Sequence, residues 1–366
     1  MNKDTVHEKR VGNLKKELHD EGLRGVVMVP GPNMRYFTGV NSLLLERPFM
    51  LLVSVEEDPH LVAPALEAGP YADCAVRMKV HPWTDSEGSG GAIGEAVRGA
   101  DMKGKWGVEG RVPFLFLDRL MKKATPKFRN AEPTLQGLRE IKDENEVALL
   151  KKSATILSKA FEEFPSILKE GLTELQVAKA ATDAIYAKGA TRVDDMLVQS
   201  GPRAADPHGL PSGRKIGRGE SVVMDVGATY EGYYADVTRT FCIGSSPEVE
   251  KVYEKVLEAE SRGIGKAAQG VRVGEVDGAA RGVLKKAGLG RHFIHRTGHG
   301  LGIEVHEAPY IVEGGEEKLQ SNMCFTVEPG VYIRGKLGVR IEDDVLIEGK
   351  KGVALTDTPK DFGWWK

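Results

Sequence analysis

Four carboxylates in this chain stand where two hairpins would gather them. Val222-Val223-Met224-Asp225-Val226-Gly227 reads as a strand, Ala228 to Gly232 as a turn, and Tyr233 to Phe241 as the returning strand. A two-residue turn at Tyr230-Glu231 places Asp225 directly opposite Asp236, on one face, where facing like charges destabilise a sheet. A second hairpin repeats the arrangement: Phe325-Thr326-Val327-Glu328 leads through Pro329-Gly330, and Val339-Arg340-Ile341-Glu342 returns. A three-residue loop Arg334-Gly335-Lys336 pairs Val331 with Val339 and Ile333 with Leu337, and sets Glu328 opposite Glu342. Brought together, four such groups repel by about 4 kcal/mol per pair at ~4 Å with an effective dielectric near ~20. Two divalent cations would cancel their charge. Either pair alone reads more simply as acids on a solvated strand face; both pairs in one domain, beside a histidine cluster, favour the metal.

Of the nine histidines, His292, His295, His299 and His306 fall within fifteen residues. His295 and His299 have the i, i+4 spacing of a helical zinc motif. Arg296, however, stands where that motif needs glutamate, and Gly298, Gly300 and Gly302 break a helix. The segment Thr297-Gly298-His299-Gly300-Leu301-Gly302 is better read as a loop or strand whose glycines let backbone approach a ligand, with the imidazole of His299 joining the four carboxylates. His306 follows in Glu304-Val305-His306-Glu307, and His208 sits in the Pro/Gly loop Asp206-Pro207-His208-Gly209 without an evident structural duty.

The elements that carry these residues belong to two regions. Residues 1–132 alternate a charged helix (Val6 to Glu21) with short strands at Gly25 to Val29, Phe49 to Val55 and Trp106 to Glu109, an α/β rhythm. Gly88-Ser89-Gly90-Gly91-Ala92-Ile93-Gly94 fits no phosphate-loop spacing and reads as a flexible loop. After a break at Glu132-Pro133, Asp143 and Glu146 form a capping box. Apolar residues then recur at Val147, Leu150, Ala154, Leu157, Phe161 and Phe164, one amphipathic helix. Thr173 with Gln176 starts another helix, which stops at Gly189, and helical patterns cover 246–268 and 273–287. The stretches 196–244 and 320–347 alternate like antiparallel strands, so residues 133–366 read as α+β.

In order, Asp225, Asp236, His299, Glu328 and Glu342 resemble the five metal ligands of the creatinase/methionine-aminopeptidase ("pita-bread") superfamily, and the chain is similar to its Xaa-Pro peptidases. The likeness rests on Met224-Asp225-Val226-Gly227, Ala235-Asp236-Val237-Thr238-Arg239-Thr240, Thr297-Gly298-His299-Gly300, Glu304-Val305-His306-Glu307, Val327-Glu328-Pro329-Gly330 and Arg340-Ile341-Glu342-Asp343. It spans about 133–360, and the region before it is similar in pattern to the family's N-terminal domain. Retention of all five ligands speaks against creatinase, and the extra N-terminal domain against the methionine aminopeptidases. The resemblance implies a pita-bread catalytic domain behind a creatinase-type α/β domain, and hydrolysis of the Xaa-Pro imide bond in dipeptides. Cleavage of longer peptides, as by aminopeptidase P, is the alternative, and a non-catalytic peptide-binding role a third. It further implies two divalent ions, with Asp236 and Glu342 bridging them, Asp225 completing one shell, and His299 and Glu328 the other. Four oxygens and one nitrogen suit Mn²⁺, with Co²⁺ or Zn²⁺ as alternatives. Glu328 is the implied proton carrier, and His208 and His306 are donors to substrate or oxyanion. Arg340 and His295 are implied substrate contacts, Arg340 at the terminal carboxylate. Tyr310 follows Pro309 where some relatives carry arginine. A homodimer is expected from the same likeness.

Composition agrees. The 366 residues carry 51 Lys+Arg against 53 Asp+Glu, a net charge of −2, which argues against a nucleic-acid binder. The three cysteines Cys74, Cys242 and Cys324 have no CxxC spacing, apolar runs are about five residues against the ~18 of a membrane span, and the charged N-terminus lacks a signal core. A cytoplasmic protein with no membrane partner is the expectation.

Overall fold

A computed structural model describes residues 3–365 of the chain. They divide into two compact units, Met1–Arg139 and Glu140–Lys366. The sequence reading placed the break at Glu132-Pro133. A helix, Glu132–Glu140, occupies that point instead, with Leu135 and Arg139 buried, so the division falls some seven residues later.

In the first unit, β1 (Gly25–Met28), β2 (Met50–Ser54), β3 (His60–Pro64), β4 (Lys79–Trp83), β5 (Lys105–Val108) and β6 (Lys127–Asn130) form one sheet ordered β4-β3-β2-β1-β5-β6. β1–β2 and β2–β3 are antiparallel and the other pairs parallel. The glycine-rich segment read as a loop is the start of a helix, Gly90–Gly99. Its Ala92, Ile93, Ala96 and Val97 form an apolar face that packs on Val62, Trp83 and Trp106, and this burial outweighs the low helix propensity of the glycines.

The second unit begins with the expected helices. Asp143 and Thr173 cap Glu144–Phe161 and Glu174–Ala187, each through a reciprocal box with Glu146 or Gln176. Their buried Ala154, Leu157, Phe161, Val177, Ala181 and Ile185 pack against Val222, Met224, Val226, Val237 and Phe241. Those strand residues belong to β7 (Arg192–Ser200), β8 (Ser221–Tyr230) and β9 (Tyr233–Cys242), which form an antiparallel sheet. One face is therefore committed to the helices, and the alternate residues Asp225, Asp236 and Thr238 lie on the other. β10 (Gly298–Gly300), β11 (Glu307–Ile311), β12 (Cys324–Val327), β15 (Asp343–Glu348) and β16 (Lys351–Ala354) form a sheet ordered β11-β10-β12-β15-β16. The ribbon β13 (Gly330–Ile333) with β14 (Leu337–Arg340) packs through β14 against β8 and β9. Helices Pro247–Lys266 and Val273–Lys286 cover this half, packing Val256, Ala280 and Leu284 with Val331, Val339 and Ile341. Among the described residues no helix is long and apolar enough to cross a membrane.

Candidate metal centre

The first hairpin turns one residue later than the spacing suggested. Glu231 and Gly232 are its central pair, with φ of 45° and 88°. A two-residue turn with positive φ at both positions is the one that matches strand twist, and Glu-Gly meets it better than Tyr-Glu. Asp225 consequently pairs with Thr238 and Asp236 with Gly227, so the two acids are diagonal, not opposite. They still share a face, because a shift of the turn centre by one residue preserves side-chain parity. The second ribbon has the expected register, Val331 with Val339 and Ile333 with Leu337. Its ladder ends at Gly330 with Arg340, however, and Glu328 and Glu342 lie beyond it. Glu342 donates its backbone N–H to Thr238 (3.1 Å), and Glu328 its own to Thr297 (2.8 Å). Each acid is thus delivered by a different neighbour.

His299 stands on β10, as a strand rather than a helix. The flanking glycines do not serve a ligand. A Cβ on Gly298 would lie 1.8 Å from the carbonyl oxygen of Thr326, and one on Gly300 2.1 Å from that of Ala308, so both are required by backbone packed alongside. His299 Nδ1 lies 3.1 Å from the carbonyl of Gly300. A carbonyl only accepts, so Nδ1 carries the proton and Nε2 presents its lone pair, 3.3 Å from Glu328 Oε1. Burial holds this imidazole neutral, down to about 3.

Atoms of Asp236, His299 and Glu342 able to ligate a metal lie within 4.8 Å of one another, and all three residues are buried. Asp236 Oδ1 is buried with no hydrogen-bond partner among the described residues. Burial first, then Glu342 and Asp225, pushes the Asp236 carboxyl well above the usual carboxylate range. Glu342 is raised in the same way by burial, Glu328 and Asp225. Burial takes Glu328 up to about 7 against the pull of Arg340. Asp225 is held differently, accepting from Arg340 Nη2 and from the Thr238 hydroxyl at 2.9 Å; that same hydroxyl lies 2.5 Å from Glu342 Oε2. Four carboxylates therefore line one cavity with a guanidinium that is ion-paired to Asp225, and an orphaned oxygen and an imidazole lone pair lie among them. This donor set fits divalent cations, and the second hydrogen bond of His299 is the kind that orients a ligating imidazole.

These groups line a cavity of about 430 Å³ together with the other implied catalytic and substrate residues, His208, His295, His306 and Arg340. His208 is exposed at the rim, and its ring makes no hydrogen bond among the described residues. His306, also exposed, meets the ring of His299 edge-on at 4.3 Å. His295 is turned to the protein: Nδ1–H donates to the Arg296 carbonyl (2.7 Å), Nε2 accepts from Tyr332 (2.9 Å), and burial holds the ring neutral, down to about 3. The sequence reading missed Thr238, Tyr332, Asp195, Tyr234 and Arg296. Thr238 was open to inference, since it lies two residues from Asp236 on the same face. Tyr332 stands two positions into the ribbon, where nothing local marks it. Asp195 lies at a bulge in β7 and accepts from the Tyr234 hydroxyl at 2.8 Å.

Residues 148–349 match metallopeptidase family M24, and residues 10–141 the creatinase/prolidase N-terminal domain. The chain belongs to metallopeptidase family M24. This M24 chain is 38% identical over 258 residues to the Xaa-Pro dipeptidase of Pyrococcus horikoshii, covering 70% of this chain and 74% of that one. Among solved structures it is similar to the prolidase of Thermococcus sibiricus, with a TM-score of 0.92, 39% identity, and coverage of 97% and 98%. It is likewise similar to dipeptidase PepE of Mycobacterium ulcerans, at 0.91, 35%, and 98% of each chain. The M24 chain is a hydrolase, with a creatinase-type N-terminal domain and a pita-bread catalytic domain.

Proposed function

We propose that this M24 peptidase is a dinuclear Xaa-Pro dipeptidase. The observation that carries the reading is the acid excess in the cavity, where ligand atoms of Asp236, His299 and Glu342 converge within 4.8 Å. The names of its relatives, prolidase and Xaa-Pro dipeptidase, support the substrate class. Asp236 and Glu342 would serve both ions, Asp225 one of them, and His299 and Glu328 the other. Oxygen-rich ligation with one imidazole and no thiolate favours Mn²⁺. Held by these residues, two divalent ions would supply an acidified water and polarisation of the scissile carbonyl.

The chain's own groups do the rest. Glu328 borders the ligand cluster through His299 and takes the proton from the attacking water, then returns it to the departing imide nitrogen. The C–N bond breaks only as its nitrogen gains a proton, so this proton must be supplied for proline to leave as a neutral amine. His306 and His208, at the rim, donate hydrogen bonds to the oxyanion, where loss of one donor costs about 3 kcal/mol. Thr238, shared between Asp225 and Glu342, fixes the spacing of those two carboxylates. Burial of Asp236, His299 and Glu342 strengthens the interactions within that cluster.

The free thiols of Cys74, Cys242 and Cys324 suit a cytoplasmic setting, and a homodimer is the proposed assembly. The test is hydrolysis of Gly-Pro and of a longer Xaa-Pro-Xaa peptide by the Mn²⁺-supplied protein. Faster cleavage of Gly-Pro is expected. Cleavage of the longer peptide alone would move the assignment to aminopeptidase P, and inactivity on both would end it.

A further inference from the structure

Two arginines line the cavity, and only one of them is free to meet a substrate. Arg340 is buried, and four of its five N–H groups are engaged. Nε donates to Thr238 Oγ1 (3.1 Å), Nη1 to the Tyr332 hydroxyl (2.8 Å) and to the Pro207 carbonyl (3.3 Å), and Nη2 to Asp225. The contact with a substrate carboxylate expected of Arg340 is therefore displaced by internal bonds. Arg296 is only partly buried, lines the same cavity, and lies over the ring of Tyr310 at 4.5 Å. Among the described residues it has no carboxylate within ion-pair distance.

The backbone of Arg296 is clamped from both sides. Its own carbonyl accepts from His295 Nδ1, and the carbonyl of His295 accepts from Arg281 Nη2 (2.8 Å). On the other side, the Thr297 hydroxyl donates to Asp277 (2.7 Å) and its N–H to the Ile311 carbonyl (2.8 Å). β11 in turn pairs Tyr310 with His299, which sets the aromatic ring under the guanidinium. Stacking fixes the plane of the fork while leaving its edge open, an arrangement suited to bidentate capture of a carboxylate. Position agrees with size. In an Xaa-Pro dipeptide the carboxylate lies one residue, about 3.5 Å, beyond the scissile carbonyl, so its anchor must border the metal ligands. Arg296 is three residues from His299 and lines the same cavity as His299 and Glu328.

We propose that Arg296, braced on Tyr310, receives the terminal carboxylate of the substrate and thereby selects dipeptides. The assignment rests on the Xaa-Pro reading above and specifies how that site measures peptide length.

The test compares Gly-Pro with its C-terminal amide, Gly-Pro-NH₂, on the Mn²⁺-supplied wild type, Arg296→Gln and Arg296→Lys, each checked for equal metal content and unchanged circular dichroism. The wild type should prefer the free acid by about 100-fold in kcat/KM, most of it in KM. In Arg296→Gln the preference should fall below about 5-fold, with Arg296→Lys between. The acid-to-amide ratio is read within one variant, so a general loss of activity leaves it unchanged. A ratio that survives Arg296→Gln, or is absent from the wild type, overturns the assignment alone. A wild type that cuts neither compound overturns the Xaa-Pro reading, and this assignment with it.

Discussion

Glu342 and Asp343 are consecutive in the chain, both are buried, and their carboxyls are driven in opposite directions. Glu342 faces Asp225, Asp236 and Glu328 and is held well above the usual carboxylate range by burial and by those charges. Asp343 points the other way. Burial alone would raise it, but Arg239 and Lys360 prevail and hold it down at about 2. Arg239 Nη2 donates to Asp343 at 2.7 Å, and Lys360 Nζ to Asp343 (2.7 Å) and Glu260 (2.6 Å). Two acids there meet two cations, and the set fastens the C-terminal segment, since Arg239 also donates to the carbonyls of Thr358 and Pro359. A buried cluster balanced from within is part of the scaffold. One left with more negative charge than its own arginine can offset is prepared for cations from solution.

Three substitutions break or sharpen this contrast. Asp236→Asn removes charge from the unbalanced cluster while keeping shape. Gly-Pro hydrolysis should fall by at least about 10³-fold, yet the metal-free Tm should not drop, because a repulsive charge has been deleted. Retained turnover would refute the role of Asp236. Asp343→Asn strikes the balanced cluster and should do the reverse. It leaves Arg239 buried without its carboxylate, at a cost of about 3 to 5 kcal/mol, so calorimetry should show Tm lower by on the order of 10 °C. His306→Ala touches the rim alone. Turnover should fall about 100-fold while metal content measured by mass spectrometry holds; loss of metal would make His306 a ligand.

The smallest effect is in the N-terminal unit, where His60 Nδ1 lies 2.8 Å from His81 Nε2 and neither cluster contributes. Burial first, then His81, lowers the His60 pKa from its ordinary 6.5, so the fold favours the neutral ring. Stability from this group is complete above that value and declines as pH falls below it. His60 should therefore contribute a slightly lower Tm at pH 5.5 than at pH 7.5, and His60→Gln should lose less Tm over that interval than the wild type.

The parts legible in the sequence were those written in local patterns. Both capping boxes, the apolar stripe from Leu150 to Phe161 and the parity that puts Asp225 and Asp236 on one face need only near neighbours. The turn was misplaced because alternation marks strands without marking which two residues take positive φ. The helix at Gly90–Gly99 was hidden because its glycines argue against it and only sheet packing argues for it. The engagement of Arg340 was invisible for a related reason: Tyr332, Thr238 and Pro207 reach it from three separate segments. The same holds for Gly298 and Gly300, whose neighbours are backbone atoms of other strands rather than a ligand.

The central claim, that an acid excess from two hairpins and a strand histidine exists to hold a pair of ions, is tested most directly by calorimetric titration of chelator-stripped wild-type protein with Mn²⁺. Saturation at two ions per folded chain, with Gly-Pro hydrolysis rising over the same range, is the predicted result. Saturation below one ion per chain, or two ions bound with no hydrolysis at all, would contradict it.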